Sequence, residues 1–353
     1  MNYGISVLFR AIPLIMALFC FGYGLFISEY GIDAGKQVAG PVVFSLGMIC
    51  IALFSTAATI IRQIIGTFGV VSKFMFPILG YLSAVLTFLG GWQILHASST
   101  SASFIAGHVI CGVGLITACV ATTATSSTRF TMITVNARKN DHEVPPKAFT
   151  RTEGLILISI AALVALTAWI WAFYLLWRSD IHPQYFVAGH VMAGLACICT
   201  SLIALVATIA RQIRNIFSAS ERRVWPILVL LMGSLCVIWG LIVIFGSAHP
   251  STGSTGYIMV GLGLVCYSIS SKVILLSKIW RHEFKLSNRI PLIPIFTALS
   301  CLFLSAFLFE MAAVHTYYYI PARVLAGLGG ICFTLFSIVS ILESGTSAPT
   351  APR

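Results

Sequence analysis

Phe186-Val187-Ala188-Gly189-His190-Val191-Met192-Ala193-Gly194-Leu195-Ala196 decides the fold, because a near copy, Phe104-Ile105-Ala106-Gly107-His108-Val109-Ile110-Cys111-Gly112-Val113-Gly114, precedes it in the same chain. With the histidine taken as position zero, the pattern recurs around Pro41, Tyr257 and Arg323, and successive copies lie 67, 82, 67 and 66 residues apart. One residue before position zero stand Gly40, Gly107, Gly189, Gly256 and Ala322; four after stand Ser45, Gly112, Gly194, Gly261 and Gly327. Six after stand Gly47, Gly114, Ala196, Gly263 and Gly329. Three small positions in register across five copies predict one unit repeated in tandem.

Outside the signature the composition is that of a membrane protein. Hydrophobic residues make up 58% of the 353 and charged residues 9%, where a soluble domain carries about 25% charged. Ten apolar stretches, near 5–28, 38–61, 74–95, 104–125, 154–177, 186–210, 224–246, 255–277, 290–313 and 321–342, each exceed the roughly 18 residues needed to span a bilayer. The first reads as a span and not as a cleaved leader. The expected fold class is therefore an all-α polytopic membrane protein, ten transmembrane helices arranged as five tandem helical hairpins of one orientation. Only Lys36, Arg178 and Arg323 of the 21 basic residues fall in the loops that follow odd spans. Positive loops are retained inside, so both termini are expected in the cytoplasm of a bacterial inner membrane. The net charge of +11 is spread over helix ends instead of forming one patch, which argues against nucleic acid and leaves the lipid bilayer as the surface it meets.

The repeats are expected at about 5–69, 70–137, 151–219, 220–285 and 286–345, within one domain covering 1–345. Odd helices open with a basic residue and a proline (Arg10 with Pro13, Lys73 with Pro77, Arg223 with Pro226, Arg289 with Pro291 and Pro294), and the fifth lacks the proline. Proline is tolerated in a first helical turn, where its missing N–H would be unpaired anyway. The second and sixth helices close with an echo, Thr59-Ile60-Ile61-Arg62-Gln63-Ile64 against Thr208-Ile209-Ala210-Arg211-Gln212-Ile213. Arg62, Arg129, Arg211 and Lys278 each lie 21 residues beyond position zero, about 31 Å along a helix, which puts position zero at the outer interface. A polar cytoplasmic loop is expected over 126–153 and a disordered tail over 346–353. A ring of five hairpins and a side-by-side stack both satisfy this spacing.

The candidate functional residues follow from depth. Gly107, Gly112, Gly189, Gly194, Gly256, Gly261 and Gly327 are expected to permit tight helix packing, since membrane helices associate by close van der Waals contact. His108 and His190 titrate ordinarily near pH 6.5; with Tyr257 and Arg323 at equivalent positions they are candidates for a pH-sensing pore mouth. The other reading of each imidazole is a bond to a nearby backbone carbonyl. Glu29 and Glu310 occupy matching places in the first and ninth spans and are candidate boundary carboxylates, able to pair with Arg323 or His108. Lys272, six residues before Lys278, is expected to snorkel to the cytoplasmic surface. All ten cysteines fall inside apolar spans, which reads as packing and not as disulfides or metal ligands. No HExxH, CxxC or phosphate-binding glycine loop with lysine occurs, so neither a cofactor nor enzymatic activity is expected.

The Phe-Val-Ala-Gly-His-Val hexad, the run Asn288-Arg289-Ile290-Pro291-Leu292-Ile293-Pro294 and the segment Gly329-Gly330-Ile331-Cys332-Phe333-Thr334-Leu335-Phe336-Ser337-Ile338-Val339-Ser340-Ile341-Leu342-Glu343 resemble the YhiM family of enterobacterial inner-membrane proteins. The resemblance runs over essentially the whole chain. It implies a multi-pass cytoplasmic-membrane protein with a loose association with survival in acid, and it brings over no catalytic or binding residues. The expectation is a pH-responsive transport protein or channel for a small solute or ion. The alternative is a non-transporting membrane protein that binds lipid or a partner under envelope stress.

Overall fold

The computed structural model describes residues 3–65, 67–139, 150–213, 216–247, 249–279 and 289–347. Ten long helices fill them: α1 Tyr3–Tyr30, α2 Gly40–Ile65, α3 Val70–His96, α4 Ser101–Lys139, α5 Arg151–Trp177, α6 Pro183–Ile213, α7 Glu221–Gly246, α8 Thr255–Ile279, α9 Leu292–Val314 and α10 Tyr319–Ser347. Short helical turns, Gly35–Ala39, Pro250–Gly253 and Thr316–Tyr318, lead into α2, α8 and α10. Each long helix carries a span apolar enough to cross a membrane, and no strand occurs among the described residues. The all-α, ten-span expectation is met. The expected loop over 126–153 is shorter than the sequence suggested, because α4 stays helical through Lys139. Residues 140–149 of that loop and 348–353 of the tail lie outside the described residues.

The prolines open only one of the helices. Pro13, Pro77 and Pro226 lie inside α1, α3 and α7, because each helix begins upstream of the basic residue that precedes its proline; in α9 the expectation holds, with Pro291 as the N-cap and Pro294 in the first turn. Helix α5, which lacks the proline, has a capping box instead: the Glu153 N–H donates to Thr150 Oγ1 (3.2 Å) and the Thr150 N–H donates to Glu153 Oε2 (2.9 Å). Two otherwise orphaned donors are thereby satisfied.

The ten helices form two layers. In the even helices 72–89% of the most apolar window is buried, and in the odd helices 28–33%. Each even helix packs against its own hairpin partner, and the even helices also touch one another in the cycle α2, α4, α6, α8, α10 and back to α2. They close an inner ring. Each odd helix lies over the seam between its own inner helix and the preceding one, α1 bridging α10 and α2. Outward faces such as Leu163, Phe245 and Phe303 are exposed, as lipid-facing surface should be.

Two contacts of the small residues hold this arrangement. One residue before position zero, glycine meets the hairpin partner's backbone: a Cβ added to Gly107 would lie 2.8 Å from the Leu95 N, and one on Gly189 3.0 Å from the Leu176 N. Four residues after, glycine receives a leucine from the next inner helix. A Cβ on Gly112 would meet Leu195, on Gly194 Leu262, on Gly261 Leu325 and Leu328, and on Gly327 Leu46. The lower end is tied by the echoed glutamines. Gln63 Nε2 donates to the Ser127 and Thr128 carbonyls (3.3 and 2.7 Å), and Gln212 Nε2 donates to the Leu276 carbonyl (2.8 Å). Each bond joins an inner helix to the next one around the ring.

Candidate functional site, the axis of the inner ring

The five inner helices enclose a cavity of about 250 Å³ beneath the end at which they begin, called here the upper end. Its wall is built in rings. Val42, Val109, Val191, Ile258 and Val324, one residue after position zero, form one; Leu46, Val113, Leu195, Leu262 and Leu328, five after, form the next. The residues three before position zero line it too, Ser254 being the polar member. Corresponding residues of all five helices thus meet at one depth. Further down, a void of about 30 Å³ is walled by the rings eight after (Ile49, Ile116, Ile198, Val265, Ile331) and twelve after (Leu53, Val120, Leu202, Ile269, Leu335). That is room enough for a water, but an aliphatic wall offers it no hydrogen bond.

Position zero itself does not line the cavity. On a helix at about 100° per residue, the lining positions cluster near 100° from position zero, so His108, His190, Tyr257 and Arg323 lie about a quarter turn off the axis. His108 Nδ1 bonds the Phe104 carbonyl at 3.1 Å and His190 Nδ1 the Phe186 carbonyl at 2.8 Å. A carbonyl only accepts, so Nδ1 carries the hydrogen and Nε2 is left to take a proton. Each ring stacks on the aromatic side chain four residues before it, at 4.3 and 4.0 Å, and meets Trp171 or Trp239 of the covering outer helix at 5.6 and 5.7 Å. Both imidazoles are buried. Arg323 repeats the scheme: its Nη1 donates to the Tyr319 carbonyl at 3.0 Å, and its guanidinium lies over the Tyr319 and Phe309 rings. Tyr257 is half-buried, with its ring 5.8 Å from that of Tyr318. The structure therefore sets these residues in the seams between inner and outer helices and does not gather them around one mouth.

Helical rotation puts Lys272 on the axial side of its helix. It lies on α8, 15 residues after Tyr257, which by the same rotation is about 60° from position zero, the direction of the lining residues three before it. Its exposure is 2%. The expectation of snorkelling fails because the side chain is enclosed by the packed inner helix and its neighbours and does not reach the surface. Among the described residues its ammonium has no hydrogen-bond or ion-pair partner.

The sequence matches a known family. Residues 1–347 match the model of a family described as a protein of unknown function (DUF2776). The chain belongs to the DUF2776 family. It is 47% identical over 349 residues to the inner membrane protein YhiM of Escherichia coli strain K12, which covers 98% of this chain and 99% of that one. With ten candidate spans, this supports a multi-pass inner-membrane protein. No solved structure matches it.

The remaining candidates in this DUF2776 chain fall elsewhere. Glu29 and Glu310 are exposed, and among the described residues neither pairs with Arg323 or His108; that expected pairing does not form, because Arg323 is turned back onto Tyr319. An ion pair does join Arg211 to Glu221 at the lower end. All ten cysteines are buried and unbridged. A second cavity, of about 570 Å³, opens between α1, α2 and α3, lined by Arg10 and Arg62 together with Leu14, Phe54, Met75, Phe76 and Leu79. Arg62 is held there by a bond to Ser72 Oγ at 2.8 Å and by the Phe76 ring beneath it.

Proposed function

We propose that this chain is a non-enzymatic membrane transport protein or channel for a small solute or ion, built from five duplicated hairpins whose inner helices surround a permeation path. The observation that carries the reading is the set of aliphatic rings contributed in register by all five inner helices around a cavity of about 250 Å³. Hydrophobic constrictions gate by dewetting, and in this conformation the lower rings hold the path shut. The distribution of lysine and arginine supports cytoplasmic termini, with the upper end facing outward.

Acid sensitivity then arises in the seams. Protonation at Nε2 places a charge among aromatic rings and backbone, where among the described residues no carboxylate faces either imidazole; an unpaired charge is costly in such a setting. Acid is therefore expected to loosen α5 from α4 and α7 from α6, and through them the ring. Solute flux into proteoliposomes should change about tenfold between pH 7 and pH 5, the equivalent of about 1.4 kcal/mol in the gating equilibrium. His108→Ala combined with His190→Ala should remove that dependence. A double variant that keeps the parent's pH response takes the histidines out of the mechanism.

One observation favours the alternative reading, that of a non-transporting lipid-binding protein. The groove lined by Arg10 and Arg62 combines two arginines with an otherwise apolar wall, which fits an anionic headgroup with its acyl chain. Arg10→Ala with Arg62→Ala should lower the phosphatidylglycerol that co-purifies, read by mass spectrometry of the intact protein, by about threefold or more. An unchanged lipid load counts against the groove as a binding site.

A further inference from the structure

We propose that Lys272 forms an axial binding site for a small monovalent anion, a halide, nitrate or short carboxylate, and so sets the charge selectivity of the path. The proposal rests on the reading of the ring as a path and names its substrate class.

An ionisable side chain inside a membrane protein is a functional candidate by default, because burying its charge without a partner is expensive. Lys272 meets that description. It is 2% exposed, sits one turn below the last aliphatic ring, and has no partner among the described residues. The fold shows what lies level with it. The residues 15 after position zero on the other inner helices are Thr56, Thr123, Leu205 and Ile338, all buried. Leu205 and Ile338 belong to α6 and α10, the helices that flank α8, and offer no charge. Thr56 and Thr123 belong to α2 and α4, across the ring from α8. Their hydroxyls bond the Ala52 and Cys119 carbonyls, Thr56 at a long 3.4 Å and Thr123 at 3.1 Å. A bound anion would meet an ammonium on one side and hydroxyls able to turn toward it on the other. Glu343 of α10 lies five positions further along, about 7.5 Å lower, and makes no ion pair with Lys272.

The rings above the lysine narrow the ligand class. Desolvation cost rises with the square of the charge and falls with ionic size, so sulfate and phosphate are held back by an aliphatic passage that admits nitrate or a short carboxylate. A lone lysine in the axis repels cations at the same point.

Two measurements separate the site from the path. Nitrate or acetate added to the detergent-solubilised protein should raise its melting temperature by about 3 °C or more, sulfate should not, and Lys272→Gln should lose the response while Lys272→Arg keeps it. In proteoliposomes, reversal potentials should show anions favoured over cations in the parent. Lys272→Gln should reduce that preference about tenfold, and Lys272→Glu should invert it. Stabilisation that depends on Lys272 without any flux upholds the site and removes the transport reading. Flux whose selectivity is the same in the parent and in Lys272→Gln, or a melting response equal in both, overturns the site. Should Lys272→Gln fail to fold, the same comparisons run between Lys272→Met and Lys272→Arg, which differ in charge at similar length.

Discussion

Gly256→Val is expected to lower the melting temperature of the solubilised protein by roughly 1–4 °C, from an overpacking cost of about 1–3 kcal/mol. Gly256 opens α8, and its hairpin partner α7 approaches it through backbone. A Cβ added to Gly256 would strike the carbonyl oxygen of Gly240 and lie 2.9 Å from the Ile244 N, and one added to Gly240 would lie 2.7 Å from the Gly256 oxygen. Neither neighbour is a side chain that can turn away, so the helices themselves must part. In a bilayer no solvent-driven force restores the contact, because helix association there depends on close packing. Gly261→Ala, five residues further on, provides the contrast. Its Cβ would meet the Cδ ends of Leu325 and Leu328, which can shift rotamer, and the loss should be less than half as large. Equal losses at the two sites would mean that the two classes of glycine contact do not differ in this way.

The ten spans were legible because a bilayer demands about 20 apolar residues per helix and polar punctuation separates them. The depth of position zero was legible as well, since Arg62 and Arg211 mark the far end of their helices. Ring closure was not. The contact that completes the cycle joins α10 to α2 at opposite ends of the chain, and no local pattern encodes a contact of that range. The axial face was hidden for a different reason: valine, leucine and isoleucine at the lining positions have the same composition as residues that face lipid. Only a comparison of columns exposes it, for position +1 is β-branched in every copy, as Val42, Val109, Val191, Ile258 and Val324.

The same comparison explains the two misplaced expectations. Histidines attract attention because they titrate, yet position zero is rotated about a quarter turn from the lining columns, and its side chains bond their own helix in the seams. For Lys272, the distance from the lower end alone suggests a lysine able to reach water. That reasoning considers length along the helix and omits direction, and direction places it among the axial columns. The TIIRQI and TIARQI echoes were visible without a reason; Gln63 and Gln212 supply one by bonding the carbonyls of the adjoining inner helix.

Leu202→Asn should convert a closed path into a leak, raising the passive flux of small ions through proteoliposomes at pH 7 by about tenfold or more. Leu202 belongs to the ring twelve residues after position zero and is 3% exposed, beside a void of about 30 Å³. Asparagine has nearly the shape of leucine, so the ring keeps its diameter while gaining an amide with two donors and a carbonyl. A threonine here would turn its hydroxyl back onto its own helix, as Thr56 and Thr123 do, and would leave the axis dry. An asparagine amide satisfies only part of its capacity that way, and water admitted to the axis satisfies the rest. Leu202→Met tests the other half of the reasoning, because it is apolar and flexible and should leave the flux at the parent's level. If Leu202→Asn reaches the membrane, runs as a single species and shows no leak, the aliphatic rings are a packed core and not a gate. If both variants leak, loss of fit and not polarity opens the passage, and dewetting is not what holds it closed.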